Sequence, residues 1–212
     1  MSVRSICQQV PVIPVLVVKD LAIAESLASA LISGGLHVLE VTLRTPVALE
    51  VIRRMSAVPG SIVGAGTVLT PADVKAVKAA GAAFAVSPGA TERLLAAAED
   101  AGLPLLPGVA TVSEVMRLVE RGFDTLKFFP AEAAGGVKML KSIHGPLPDV
   151  RFCPTGGISE QTFGDYLALP NVLCVGGSWL TPEATVSAHD WQGIAALARK
   201  TVGLYNPPAN SA

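Results

Sequence analysis

Aromatic and charged residues are both scarce in this chain. Phe, Trp and Tyr make up 5% of its 212 residues and Asp, Glu, Lys and Arg 16%, while half of it is hydrophobic. That balance predicts a core of Val, Leu, Ile and Ala, built on strands buried on both faces as in layered parallel sheets. Charge of one sign is nowhere concentrated. The formal net charge is -1, and the scatter of Lys and Arg argues against a polyanion-binding surface and against nucleic acid as a partner. Cysteine is confined to Cys7, Cys153 and Cys174, an odd number at wide spacing, with no CxxC pair and no nearby histidine. Such residues read as reduced, buried thiols and not as a metal set. His37, His144 and His189 lack ligand spacing, and HExxH, a carboxylate cluster and a Walker sequence are all missing. Neither a catalytic metal nor a cofactor is expected. The longest early apolar run, over 10–18, is interrupted by Pro11 and Pro14 and ends in Lys19-Asp20 rather than in a small-residue cleavage site. It predicts neither a signal peptide nor a membrane span, and the cytoplasm is the expected location.

What the chain does contain is an alternation. After a short helical turn near 2–9, a strand is predicted over 10–18. Asp20 then caps a helix whose apolar positions Leu21, Ala24, Leu27, Ala28 and Leu31 have helical spacing, and Gly34-Gly35 stops it. Further strands are predicted over 37–44, 62–68, 84–87, 103–106, 125–129, 151–155 and 172–175. Helix starts follow them: Thr45-Pro46 with proline in the first position, Thr70-Pro71-Ala72-Asp73 and Thr111-Val112-Ser113-Glu114 as capping boxes, Thr91, and Ser159. Helices near 137–143 and 191–202 complete the pattern, and residues 205–212 read as a frayed tail. Eight strand-helix units at about twenty to twenty-six residues each predict one domain over 1–212, a (β/α)8 TIM barrel. An open doubly wound sheet is the alternative, but the first strand runs into Lys19-Asp20 and not into a glycine-rich turn.

Lys127 is the unusual residue of this barrel, lying in the apolar run TLKFFP between Leu126 and Phe128. Burial disfavours the charged form of an amine, so a lysine held there is a candidate nucleophile; the alternative is a side chain that snorkels its head into water. In a barrel the site lies at the C-terminal strand ends, and side chains alternate between lumen and helix layer. Glu40, Thr42 and Arg44 share one face of the second strand; Val63, Ala65 and Thr67 share a face of the third. Thr125, Lys127 and Phe129 share a face of the sixth, and Arg151, Cys153 and Thr155 of the seventh. The face carrying the ionisable residues is assigned to the lumen. Glu40 there is either a proton carrier beside the amine or half of a buried ion pair with Arg44 or Lys127. Arg44 at the mouth could clamp a carboxylate in bidentate fashion, or be a surface arginine. Thr155-Gly156-Gly157 and Gly176-Gly177-Ser178 follow the last two strands, where barrels commonly hold a phosphate on backbone N–H groups; tight turns are the alternative.

On VLEVTLRT (38–45), VGAGTVL (63–69), SPG (87–89), KFFPAE (127–132), RFCPTGGIS (151–159) and GGSWL (176–180), the chain resembles the 2-keto-3-deoxy-6-phosphogluconate aldolases. These are class I aldolases that also act on 4-hydroxy-2-oxoglutarate. The resemblance implies that Lys127 is the Schiff-base lysine and Glu40 the general acid/base. It implies that Arg44 and Thr67 bind the pyruvate carboxylate and that Thr155 contacts the hydroxyl created at the new bond. Gly156, Gly157, Gly177 and Ser178 match the phosphate loops, and Pro88 and Phe129 the pocket lining. A phosphorylated keto acid and pyruvate are the implied ligands, with no cofactor and no metal, and a homotrimer is the implied assembly. A galactonate-series aldolase, a non-covalent phosphosugar isomerase or epimerase, and a non-catalytic phosphate binder are the alternatives.

Overall fold

The structure is a computed structural model that describes residues 1–204, so the expected frayed tail lies outside the described residues. Ser2 and Ser5 cap one another reciprocally and start α1 (Val3–Cys7), the short helical turn expected before the first strand. Then come β1 (Val12–Leu16), α2 (Ala24–Ser33), β2 (Val38–Thr42), α3 (Ala48–Ser56), β3 (Ile62–Gly66), α4 (Pro71–Ala79), β4 (Phe84–Val86) and α5 (Glu92–Ala101). The second half contains β5 (Leu105–Leu106), β6 (Gly108–Val109), α6 (Val112–Glu120), β7 (Thr125–Phe128), α7 (Gly136–His144), β8 (Arg151–Pro154), α8 (Phe163–Leu167), β9 (Val175–Gly177), α9 (Glu183–Ser187) and α10 (Trp191–Gly203).

The strands pair in parallel throughout, β5-β4-β3-β2-β1-β9 in one ladder and β6-β7-β8 in the other. Parallel β8–β9 contact is made by isolated bridges, Phe152 with Val172 and Thr155 with Gly176. The result is a curled parallel sheet with helices against its outer face. All five residues of β2 are buried, as are all of β4, β7 and β9. Each fully buried Val, Leu or Ile of such strands contributes roughly 1.5–3 kcal/mol by removal from water.

Several local expectations need correction. The fifth strand starts at Leu105, not at residue 103, and resumes as β6 after Pro107. Pro107 has no N–H for the ladder, but its carbonyl accepts from Lys127 N–H at 2.9 Å. The last strand is β9, displaced from 172–175, because Val172 N–H turns back to the Leu169 carbonyl at 3.1 Å. Gly176 and Gly177 are therefore strand residues. Thr45 does not cap a helix: its hydroxyl donates to the Val18 carbonyl at 2.8 Å, and α3 begins after Val47 without a side-chain cap. Ser159 Oγ accepts from Gln161 N–H at 3.3 Å, which closes a turn, and α8 starts only at Phe163. Asp20 caps a single 3-10 turn that leads into α2, accepting from Ala22 N–H at 2.8 Å.

The two capping boxes form as expected, at Thr70–Asp73 and Thr111–Glu114. At the second, Glu114 Oε2 accepts from the Ala110 and Thr111 N–H groups at 2.8 Å each. The Ala110 bond foremost, then the Thr111 contacts, holds the Glu114 carboxyl below the usual carboxylate range. A depressed carboxylate adds stability above its unfolded value of about 4.3 and loses it as the pH falls through the lower folded value. Glu114→Gln is thus expected to lower the thermal midpoint at pH 7. The two proteins should converge in acid, which a pH series of melting curves would check.

Candidate active site

Parallel register fixes which residues share a face. Val15, Glu40, Gly64 and Phe84 are successive partners from β1 to β4, and Thr42 is the partner of Gly66. On the other side, Gly108, Lys127 and Cys153 are partners across β6, β7 and β8. Glu40 and Lys127 meet inside the curl, Lys127 Nζ lying 3.4 Å from Glu40 Oε1 with side chains 7% and 4% exposed. The Nζ atom also stands 5.1 Å from the centre of the Phe129 ring, a cation–π distance. A buried carboxylate and ammonium at this separation hold each other in place, since either one alone would be an uncompensated charge away from water.

Register corrects the face expected for the third strand. Gly64 and Gly66 share the face of Glu40, so Val63 and Ala65 point the other way. Thr67 still reaches the mouth, because its backbone is left-handed at φ 61, a strained region for a β-branched residue. Its Oγ1 lies 3.4 Å from Arg44 Nε, and Arg44 is exposed just beyond β2. The two form a polar corner open to solvent above the buried pair.

Across the mouth, Thr155 is 7% exposed and its Oγ1 has no protein partner. Its neighbour in the bridge is Gly176, where a Cβ would lie 2.3 Å from that Oγ1. Gly156 and Gly157 follow with φ of 104 and 81, a path open to glycine but strained for other residues. Gly177 is buried as the last residue of β9, and Ser178 is exposed after it. Gly156 and Gly157 thus leave the end of β8, and Gly177 and Ser178 the end of β9, next to the bridge that joins Thr155 to Gly176. Pro88 is half-buried after β4, against Gly108, the register partner of Lys127.

Three further features of the site depend on contacts that the sequence pattern does not signal. The strand pairing of β7 with β8 continues past its end: Ala131 and Glu132 N–H groups donate to the Thr155 and Gly156 carbonyls at 2.8 and 3.1 Å. Glu132 then accepts from the buried Tyr166 hydroxyl, and burial foremost, with that hydrogen bond, raises the Tyr166 phenol far above its ordinary range. The KFFPAE stretch thus straps the lysine strand to the glycine turn. Thr42 Oγ1 donates to the Leu16 carbonyl at 3.0 Å and ties β2 to β1 below Arg44. Finally, Cys7, Cys153 and Cys174 converge, all free and buried. Contact with Cys153, reinforced by burial, pushes the Cys7 and Cys174 thiols well above their ordinary range. Wide sequence spacing had concealed this cluster.

The sequence pattern of the KDPG and KHG aldolase family matches residues 3–197. The KHG/KDPG aldolase of Escherichia coli strain K12 is 54% identical over 202 residues, 95% of each chain. The 2-dehydro-3-deoxy-phosphogluconate aldolase of Pseudoalteromonas atlantica is 53% identical over 202 residues, 95% of this chain and 94% of its own. Among solved structures, KDPG aldolase from Legionella pneumophila, with pyruvate captured as a covalent carbinolamine, superposes with a TM-score of 0.91 at 50% identity. The match covers 94% of this chain and 97% of that one. With a buried lysine–carboxylate pair at the centre of its parallel sheet, this chain belongs to the KDPG and KHG aldolase family and is a carbon–carbon lyase of the Schiff-base class.

Proposed function

We propose that the protein cleaves 2-keto-3-deoxy-6-phosphogluconate reversibly to pyruvate and glyceraldehyde 3-phosphate through a Schiff base on Lys127. By the same steps it would cleave 4-hydroxy-2-oxoglutarate to pyruvate and glyoxylate. The 3.4 Å contact between the buried Lys127 amine and Glu40 carries this reading. It supplies a nucleophile and a proton carrier in one water-poor lumen.

Glu40 takes a proton from the Lys127 ammonium, the freed amine attacks the C2 ketone, and Glu40 returns the proton to the departing hydroxyl. Loss of water from the carbinolamine thus leaves an iminium that withdraws electrons from C3 and a carboxylate at Glu40. Glu40, directly or through a water, takes the proton of the C4 hydroxyl. The C3–C4 bond breaks, its electrons rest in the enamine, and glyceraldehyde 3-phosphate departs. Reprotonation at C3 and hydrolysis of the iminium release pyruvate and regenerate the amine. Arg44 and Thr67 are the proposed carboxylate site, the guanidinium meeting the carboxylate and the hydroxyl adding a donor. Thr155 is the proposed partner of the C4 hydroxyl, in keeping with an Oγ1 that no protein group satisfies. Backbone N–H groups at Gly156, Gly157 and Gly177, with the Ser178 hydroxyl, are assigned to the phosphate, and Pro88 and Phe129 to the walls. No cofactor or metal enters these steps.

The same reading makes 1–212 one domain and closes the sheet as a (β/α)8 barrel. In that barrel β5 and β6 are a single strand broken at Pro107, and the β8–β9 bridges form the last seam. A homotrimer in the cytoplasm is part of the proposal. On α6, Val112, Met116 and Val119 are exposed at helical spacing, an apolar stripe suited to a subunit contact.

Borohydride added with pyruvate is expected to fix one adduct, which peptide mass mapping should locate on Lys127. An adduct on Lys138, or none, would sink the assignment. For Glu40→Gln, kcat should fall by about 100-fold or more while the adduct with pyruvate still forms. An equal loss of turnover and pyruvate binding would instead mark a structural ion pair. Pyruvate release from gluconate-series and galactonate-series substrates, assayed side by side, should favour the gluconate series by about tenfold or more. Thr155→Val should narrow that ratio, and an unchanged preference would remove Thr155 from the stereochemical role.

A further inference from the structure

The face of β3 that looks into the lumen carries no side chain beyond Ile62, since its other members are Gly64 and Gly66. Both lack the positive φ that would call for glycine on backbone grounds. What they provide is space. A Cβ at position 64 would lie 2.3 Å from the Phe84 ring, which reaches across from β4. A Cβ at position 66 would lie 2.1 Å from Glu40 Oε1 and 2.8 Å from both its Cδ and Cγ. The oxygen it would strike is the one that faces Lys127 Nζ.

We infer that Gly66 is a positioning residue: the slot left by its missing side chain sets where the Glu40 carboxylate sits relative to the Lys127 amine. The inference rests on the proposed role of Glu40 in moving protons. The three atoms nearest to the added Cβ, Oε1, Cδ and Cγ, all belong to the Glu40 side chain, so alanine at 66 is expected to displace the carboxylate before the backbone. A shift of about 1 Å at a proton-transfer group costs on the order of 100-fold in rate. Glutamate is therefore matched to glycine here, and a shorter acid is matched to alanine.

The test compares native protein, Gly66→Ala, Glu40→Asp and the double variant for kcat, KM and thermal unfolding, and for the final extent of the pyruvate–borohydride adduct. Gly66→Ala should unfold cooperatively and still form the complete adduct on Lys127, with kcat lower by about 100-fold and little change in KM. Glu40→Asp should lower kcat in the native background but raise it in the Gly66→Ala background, a coupling that independent structural damage does not produce. A Gly66→Ala enzyme within about threefold of native kcat, or two effects that simply multiply, would overturn the inference while leaving the aldolase reading intact. If Gly66→Ala does not fold, the double variant should recover folded protein, and its failure to do so also overturns the inference. Native protein that neither cleaves substrate nor forms the adduct would overturn the aldolase reading, and this inference with it.

Discussion

Two opposite charges buried inside a strand lumen constrain everything around them. Removing a carboxylate or an ammonium from water costs several kcal/mol for each, and their attraction offsets this only when the geometry is good. Lys127 and Glu40 lie on strands that are far apart in sequence and on opposite arcs of the curl, so their 3.4 Å contact depends on the register of every ladder between them. A slip of one residue in β2 or β7 would turn one partner into the helix layer, leaving its mate unpaired. The pair is therefore a condition on the fold as well as a site within it. The glycines of β3 and the small residue opposite Thr155 follow from the same condition, because the lumen must admit long polar side chains without excluding a ligand.

Much of the architecture was legible because its signals are local. Thr70 with Asp73, and Thr111 with Glu114, close their capping boxes where the sequence pattern places them, and the apolar runs between them become strands. Thr45-Pro46 looks equally like a helix start. A long-range partner prevailed there: the Val18 carbonyl at the end of β1 captures the Thr45 hydroxyl, and no window around residue 45 contains that information. The split at Pro107 and the displacement of β9 are local instead: proline has no N–H for the ladder, and the Val172 N–H turns back to the Leu169 carbonyl, details of the backbone that strand propensity does not encode.

Alternation along single strands correctly put Glu40 and Lys127 on lumen faces, since a strand with one charge has only one tolerable side for it. It failed for β3. Val63, Ala65 and Thr67 are in phase along the chain, but register with β2 turns Val63 and Ala65 outward, and Thr67 joins Arg44 only by leaving the strand in a left-handed conformation. The period of two ends where the backbone leaves the extended region, and strand ends are where barrel sites are built. The cysteine trio was illegible for a different reason. Cys7 comes from α1, outside the strand alternation altogether, so only the packing of that helix brings it against Cys153 and Cys174.

The layout also bears on why one site would accept keto acids of different length. In the proposed reaction the pyruvate half is bound by β2, β3 and β7, through Glu40, Arg44, Thr67 and Lys127. In the same proposal the other half of the substrate is set against β8 and β9. These two arcs are joined by the strap from Ala131 and Glu132 to the Thr155 and Gly156 carbonyls, anchored further by the Tyr166–Glu132 hydrogen bond. In that proposal the bond-breaking groups Lys127 and Glu40 lie on the first arc, while Thr155 on the second orients the C4 hydroxyl. The second arc contributes binding and orientation, which matters most for a substrate with a phosphate to place. A short substrate ending in a carboxylate would use the bond-breaking groups unchanged and forgo the contacts at the glycine turn. Under the proposed reaction, breadth at one end and strictness at the other would follow from placing the covalent chemistry and the phosphate contacts on separate strands of one curled sheet.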